Sequence, residues 1–201
     1  ASVVGAAVVA AIGTPWVAAR WSTAGGIKAG WTPLFDGVSL DGWEIINPWT
    51  FDPWWAEGGT IVARDDKEYK SLHYIKPLGF GRFRATVTPT RDAGRLGLSY
   101  GQPEGSYFLL FEDKYVWIRD GKEPGEAEVP GRWLSFPGPV IPAGGESITM
   151  EVDWGPRITR LLVNGQLLQE VRSHRKGTRL GLHVWGGDGG RYSDIAFLPR
   201  A

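Results

Sequence analysis

Few of the side chains that can do acid–base chemistry stand at productive spacings in this chain. The closest acidic pairs are Asp65-Asp66 and Glu112-Asp113. Neighbouring residues on a strand point to opposite faces of a sheet, so neither pair can act together from a strand. Asp65-Asp66 lies in the charged stretch DDKEYK, which is typical of a solvated turn. Glu112-Asp113 follows an apolar run, which indicates a turn or strand edge, with contact to a sugar as the alternative.

The histidines at positions 73, 174 and 183 are the other candidates for proton transfer. No two of them have the spacing of metal ligands, and no Ser–His–Asp order stands out. We therefore expect structural roles for them, with His73 or His183 as a general base in the alternative. The glycines around Asp188 lack the acidic ladder of a calcium loop, so they indicate a turn. We predict no metal site and no cofactor.

The composition excludes several function classes. The 22 basic residues balance the 22 acidic residues, and no basic stripe interrupts that balance, so a nucleic acid partner is not expected. The chain has no cysteine, which excludes disulfides, thiol nucleophiles and cysteine-ligated zinc. Its 11 tryptophans and 29 glycines suggest a tryptophan-rich core with tight turns between strands.

The first 21 residues predict a transmembrane anchor helix. Ser2 to Ala19 carries no charged side chain and is just long enough, at about 1.5 Å per residue, to cross the bilayer core. Small residues four apart allow close approach of another helix, and tryptophans suit the membrane interface. A signal peptide is the alternative. The lipid bilayer and other transmembrane subunits are the predicted partners, contacted through Ala6, Ala7, Ala10, Ala11, Trp16 and Trp21.

Residues 22–30 are small and polar and indicate a linker, and residues 31–201 have the pattern of a β domain. Apolar and polar residues alternate in GRFRATVTPT, SITMEVDW and TRLGLHVW, which predicts half-buried strands. Apolar residues over Tyr107–Phe111 predict a central strand that is covered on both faces. Asn164-Gly165, Asp120-Gly121 and Trp154–Arg157 indicate turns between strands. Many short strands with glycine and proline turns predict a sandwich or barrel.

The segment TPLFDGVSLDGWEI resembles the opening phrase of the 3-keto-disaccharide hydrolase domain family. Later segments resemble the family's phrases in order and cover nearly all of residues 31 to 199, among them WWAEGGTIVA, FGRFRATVTPT, VNGQ and GLHVWGG. The resemblance implies a concanavalin-like jelly-roll β-sandwich, often exported, with links to sugar chemistry. The complete expected fold is thus an all-β jelly roll preceded by one transmembrane α-helix. The matching opening residues are Leu34, Phe35, Asp36, Gly37, Leu40, Gly42 and Trp43.

The middle of the chain departs from the family pattern. The family's Asn-Ser-Gly-Ile phrase corresponds to Arg95–Leu98, and its Tyr-Glu-(Val/Leu)-Gln-Ile strand corresponds to Tyr107–Phe111. Polar residues that would face a ligand are apolar in these places. The Glu-x-Asp-x-x-Glu string of laminarinase-type jelly rolls is also absent. This departure leads us to expect a domain without catalytic activity.

Trp54-Trp55 also needs a role. On a strand the two rings face opposite ways, so one suits the core and the other suits an interface. Stacking on a sugar is the alternative for the exposed ring.

Two functional hypotheses follow. The first is a non-catalytic accessory subunit that docks onto a larger membrane complex, such as a respiratory or photosynthetic assembly. The alternative is a membrane-tethered sugar-active enzyme or carbohydrate-binding module, for which Glu112, Asp113 and His73 are the candidate catalytic residues. Arg20 and Lys28 after the span favour a cytoplasmic β domain. The export habit of the resembled family favours the periplasm, which we prefer.

Overall fold

The β domain is a sandwich of two sheets. The computed structural model describes residues 30–46, 54–64, 69–90, 96–101, 106–111, 115–119, 132–135, 147–173, 179–185 and 189–200. These residues form fifteen strands, and their pairings are antiparallel. The predicted anchor and the linker up to residue 29 lie outside the described residues. From residue 30 onward, the described part of the chain contains no helix long and apolar enough to cross a membrane.

The eight-stranded sheet runs in the order β13-β12-β11-β6-β15-β4-β3, and β1 pairs with β15. Its strands are β1 (Thr32–Pro33), β3 (Trp54–Glu57), β4 (Thr60–Ala63), β6 (Gly81–Pro89), β11 (Ile148–Trp154), β12 (Ile158–Val163), β13 (Gln166–Arg172) and β15 (Gly190–Pro199).

The seven-stranded sheet runs in the order β10-β9-β8-β7-β14-β5-β2. Its strands are β2 (Trp43–Ile46), β5 (Tyr69–Tyr74), β7 (Leu96–Gly101), β8 (Ser106–Phe111), β9 (Tyr115–Arg119), β10 (Arg132–Ser135) and β14 (Arg179–Trp185). The predicted central position of Tyr107–Phe111 is confirmed at the level of sheet order, because β8 lies between β7 and β9.

Alternation of side chains along each strand builds the core between the sheets. On β6, Phe83 and Val87 are buried while Arg82 and Thr86 remain partly exposed on the other face. Leu72 and Leu182 contribute from the seven-stranded sheet to the same apolar cluster. The all-β sandwich predicted from the sequence is therefore confirmed. Removal of these apolar side chains from water is the main stabilising contribution to the domain.

Two of the predicted turns are present in the described residues. Asn164 and Gly165 both have positive φ angles, 50° and 77°, and they connect β12 to β13. Positive φ at both central residues is what a tight two-residue hairpin turn requires. The turn from Trp154 to Ile158 closes with a bond from the Gly155 N–H to the Ile158 carbonyl. The third predicted turn, at Asp120-Gly121, lies outside the described residues.

The family-like opening phrase forms a turn that is pinned to the core. Asp36 Oδ1 accepts hydrogen bonds from the backbone N–H groups of Val38 and Ser39, at 2.7 and 2.9 Å. The indole N–H of Trp43 donates to the Leu34 carbonyl at 3.1 Å. The Asp36 and Trp43 side chains of the phrase therefore have structural roles in the fold.

Candidate functional site

A cluster of polar residues lies at the centre of the seven-stranded sheet, on the face directed away from the core. Ser71 pairs with His183, which pairs with Gly97 on the next strand. In the neighbouring row His73 pairs with Gly181, which pairs with Ser99. Their strand neighbours Leu72, Leu98 and Leu182 belong to the core, so the alternation of strands places these six residues on the opposite face. We call Ser71, His73, Gly97, Ser99, Gly181 and His183 the polar grid.

Two serine–histidine hydrogen bonds join the strands of the polar grid. Ser71 Oγ lies 2.6 Å from His183 Nδ1 on the adjacent strand. Ser99 Oγ lies 3.2 Å from His73 Nε2, although β14 separates the strands that carry them. All four side chains are buried. The second bond crosses a whole strand, so it depends on what stands at the middle position.

Gly181 is that middle position, and its lack of a side chain permits the second bond. A Cβ atom there would come within 2.5 Å of His73 Cδ2 and 2.7 Å of Ser99 Oγ. Real Cβ contacts are not that short, so any other residue would push the ring and the hydroxyl apart. Glycine in a strand interior weakens the strand, and it often marks the close approach of another group.

Tyr192 connects the polar grid to the other sheet. Its hydroxyl donates to the His183 carbonyl at 2.6 Å and accepts from the Gly97 N–H at 3.1 Å. Burial raises the pKa of the Tyr192 phenol well above its usual range, so the group keeps its proton. One buried side chain from β15 thus fixes the spacing of β7 and β14 beneath the grid.

Both grid imidazoles are neutral at physiological pH. Burial, with added repulsion from Arg179, lowers the pKa of His73 to about 4. Burial, with added repulsion from His73, lowers the pKa of His183 to about 3. Desolvation disfavours the charged form of each ring. A neutral imidazole offers one hydrogen-bond donor and one acceptor.

An exposed ion pair crosses the sheet beside His73. Arg179 Nη1 lies 2.9 Å from Glu44 Oε2, and their side chains are 34% and 51% exposed. Arg179 is on β14 and Glu44 is on β2, with β5 between them in the sheet. Glu44 is the register partner of His73. The ion pair therefore crosses β5 obliquely next to His73, because Arg179 lies two residues along β14 from Gly181, the register partner of His73.

The two rows of the polar grid continue in backbone register onto the far strands. Gly97 pairs with Leu109, which pairs with Trp117, which pairs with Trp133. Ser99 pairs with Tyr107 in the neighbouring row. Aromatic residue types thus recur at these register positions.

The structure separates the other residues proposed from the sequence. Trp54 is 2% exposed and lies in the core, whereas Trp55 is 39% exposed on the other side of β3. The opposite placement predicted for this pair is therefore confirmed, and Trp54 presents almost no surface to a partner. The remaining proposed residues lie outside the described residues, namely Glu112, Asp113, Ala6, Ala7, Ala10, Ala11, Trp16 and Trp21. Their roles stay predictions.

The comparison with the family's middle phrase led to a wrong inference on β7. Leu96 stands where the family phrase has a polar residue expected to face a ligand, but it lies in the core, as does Leu98 at the phrase's apolar position. The outer face of this strand carries Gly97 and Ser99 instead, so polarity is retained there. Ser71 and His73 flank Leu72, and Ser99 lies between Leu98 and Tyr100, so alternation along each strand indicates from the sequence that both serines and His73 face away from the core.

A pair of carboxylates that was not predicted as a site from the sequence lies on the eight-stranded sheet. Glu151 and Asp153 alternate along β11 and share its outer face. Glu151 binds Arg82, and Asp153 binds Arg200 and Arg160. Each carboxylate forms a salt bridge with arginine, so both have a structural role on this face. No group of three potential metal ligands occurs among the described residues.

Comparisons with solved structures identify the fold of the domain. No protein-family model and no curated protein sequence matches the chain. Among solved structures, it is similar to the laminarinase catalytic domain from Thermotoga maritima, with a TM-score of 0.62 and 14% identity over 85% of this chain and 97% of that chain. It is also similar to the laminarinase from a Flavobacterium species, with a TM-score of 0.58 and 10% identity over 85% of this chain and 98% of that chain.

A third similar structure is the Crh5 transglycosylase, with a TM-score of 0.59 and 12% identity over 85% of this chain and 84% of that chain. At these identities the similarity establishes the fold, a concanavalin-like jelly roll. It confirms the predicted jelly-roll sandwich.

Proposed function

We propose that this domain binds carbohydrate on the outer face of its seven-stranded sheet. The observation that carries the proposal is the polar grid, which sets two hydroxyls and two neutral imidazoles at the centre of that face. Buried polar groups cost free energy unless they are hydrogen-bonded, and His73 Nδ1 on this face has no partner among the described residues. Sugar hydroxyls donate and accept hydrogen bonds, as these groups do. The carbohydrate-active fold of similar structures adds support.

The far strands supply the residue types that would complete such a face. Tyr107, Trp117 and Trp133 occupy register positions in the rows of the polar grid. Ligand sites in proteins combine aromatic surface with a few polar groups that fix orientation. Aromatic residues at these positions would suit the apolar faces of sugar rings, while the grid would suit the hydroxyls.

The described residues support binding better than two-carboxylate hydrolysis. Glycosidases need two carboxyl groups on opposite sides of the scissile bond. Among the described residues, Glu44 is the acidic residue of this face, and its carboxylate binds Arg179. Hydrolysis would need further carboxyls from beyond the described residues, for which Glu112 and Asp113 are our candidates. The resemblance to 3-keto-disaccharide hydrolase domains suggests disaccharides as the first ligands to compare.

We further propose that residues 1–21 tether the domain to a membrane, with the sandwich in the periplasm and other transmembrane subunits as neighbours. The uncharged stretch from Ser2 to Ala19 supports the tether. Membrane fractions washed at alkaline pH should retain the full chain, while a chain with two lysines introduced into that stretch should be released. Release of the unaltered chain would contradict the tether.

Isothermal titration of the full chain in mild detergent tests the binding proposal. The probes are a β-1,3-glucan hexasaccharide, an N-acetylglucosamine tetrasaccharide and a glucose disaccharide. We expect saturable binding of at least one probe, weakened by Glu44→Gln. Glu57→Gln is the matched control, because Glu57 forms an equally exposed ion pair with Arg191 on the other sheet. Absence of binding at about millimolar concentrations of all three probes would overturn the proposal.

A further inference from the structure

His73 has one ring nitrogen that no described residue satisfies. Its Nδ1 is buried and has no hydrogen-bond partner, although the side chain is only 1% exposed. Buried polar atoms in native proteins are nearly always paired, and each exception needs an explanation. A group that arrives with a ligand is one such explanation.

The position of the His73 ring is fixed by its surroundings. Nε2 reaches Ser99 Oγ over Gly181, whose missing Cβ leaves the room for this contact. The same contact spans two strand spacings, roughly 9.5 Å of sheet, so the ring lies extended across β14. With Nε2 held in this way, Nδ1 is the ring atom left for another partner.

His183 differs from His73 in this respect, although both histidines lie in the grid. Its Nδ1 is bound to Ser71 Oγ at 2.6 Å, and Tyr192 holds its backbone carbonyl. His183 therefore has a structural role in the grid. His73 is therefore the histidine of the grid whose Nδ1 is left for a ligand to bind.

The ion pair between Glu44 and Arg179 lies beside His73 on the described part of this face. It crosses β5 obliquely next to His73, and both side chains are well exposed. Exposed ion pairs contribute little to stability, so rearranging this one is inexpensive. Its charged groups can themselves bond to hydroxyls once they separate. A ligand that displaces this weak contact can therefore bind beside His73, with the fold left intact.

We propose that His73 Nδ1 is the atom that hydrogen-bonds a hydroxyl group of the bound sugar, with Ser99 and Gly181 as positioning residues; this rests on the carbohydrate function proposed above. The hydrogen-bonding role of the imidazole ring of His73 determines which ligand groups can bind Nδ1. Whether Nε2 donates to Ser99 or accepts from it, Nδ1 has the complementary role. A hydroxyl can donate or accept, so it suits both tautomers. A carboxylate or an ammonium group suits only one.

Two substitutions at the same position separate a ligand contact from a structural role. The end of a glutamine side chain reaches the place of Nε2, and the end of an asparagine side chain reaches the place of Nδ1. His73→Gln should keep the bond to Ser99, remain folded, and bind the β-1,3-glucan or other bound probe about ten- to a hundredfold more weakly. His73→Asn should lose the bond to Ser99 and bind more tightly than His73→Gln.

Nitrogen-15 spectra of the imidazoles in the unaltered full chain give a second readout that does not depend on variants. Saturation with the probe should shift the His73 Nδ1 resonance and leave His183 Nδ1 in place. Equal affinity of His73→Gln and the unaltered chain would overturn this inference and leave the carbohydrate function standing. A resonance of Nδ1 that does not respond to bound probe would do the same. If the unaltered chain binds no probe, the proposed function itself fails, and the inference fails with it.

Discussion

The two buried imidazoles should make the domain sensitive to acid, well above the pH at which carboxylates take up protons. His73 has a pKa of about 4 in the folded chain and His183 a pKa of about 3, against 6.5 for an exposed histidine. Below pH 6.5 the unfolded chain therefore binds more protons than the folded chain. Stability must fall as the pH falls, and the loss develops between the unfolded and folded pKa values.

The magnitude follows from the pKa differences. At pH 5 each imidazole is almost fully charged in the unfolded chain and almost uncharged in the folded chain. Linkage then gives a loss of about 2 kcal/mol for each ring relative to pH 7.5, or about 4 kcal/mol for both. Typical domains have only about 5–15 kcal/mol of stability. The domain should therefore lose a large share of its stability between pH 7.5 and pH 5 in the absence of ligand.

Guanidinium unfolding, followed by tryptophan fluorescence from pH 7.5 to pH 5, measures this loss. His73→Gln is the internal control, because all other titrating groups are shared with the unaltered chain. The free energy of unfolding of the unaltered chain should fall by about 2 kcal/mol more than that of the variant over this range. Parallel curves for the two proteins would refute the assignment of His73 as a neutral buried imidazole.

Three further substitutions test contacts in the polar grid and in the opening turn. Each is measured by the free energy of unfolding at pH 7.5. Gly181→Ala should cost about 1–3 kcal/mol, because its Cβ would lie within 2.5 Å of the His73 ring, and an unchanged stability would contradict the crowding at this position. Tyr192→Phe should cost about 1–3 kcal/mol, since it leaves two buried backbone groups unpaired, and a cost near zero would mean that these groups find other partners. Asp36→Ala should cost about 1 kcal/mol through loss of two N–H contacts. Burial opposes the shift, but the bonds from Ser39 and Val38 outweigh it and lower the pKa of Asp36, so the difference from the unaltered chain should narrow as the pH falls through that lowered pKa.

Local pattern predicted the sandwich because burial on one side of a strand imposes a period of two. Phe83 and Val87 on β6 could be assigned to the core from their spacing alone, and the Asn164-Gly165 turn from its residue types. These features depend on a few neighbouring residues. The contacts of the opening phrase are also local, since Asp36 and Trp43 bond to backbone groups close to them in sequence.

The polar grid could not be assembled from the sequence, because its contacts depend on the order of strands in the sheet. Ser71 and His183 are 112 positions apart, and His73 meets Ser99 only because Gly181 stands on the strand between them. The sequence pattern of a single strand does not indicate which strands will be its neighbours in the sheet. The ion pair of Glu44 with Arg179 could not be predicted for the same reason, since it joins β2 to β14 across β5.

Backbone amide spectra of the full chain during titration with the β-1,3-glucan hexasaccharide, or with whichever probe binds, test the central claim most directly. If carbohydrate binds on the outer face of the seven-stranded sheet, the largest shifts will fall on β5, β14 and β7 around His73 and Ser99. Shifts confined to the eight-stranded sheet, around Glu151 and Trp55, would contradict the account.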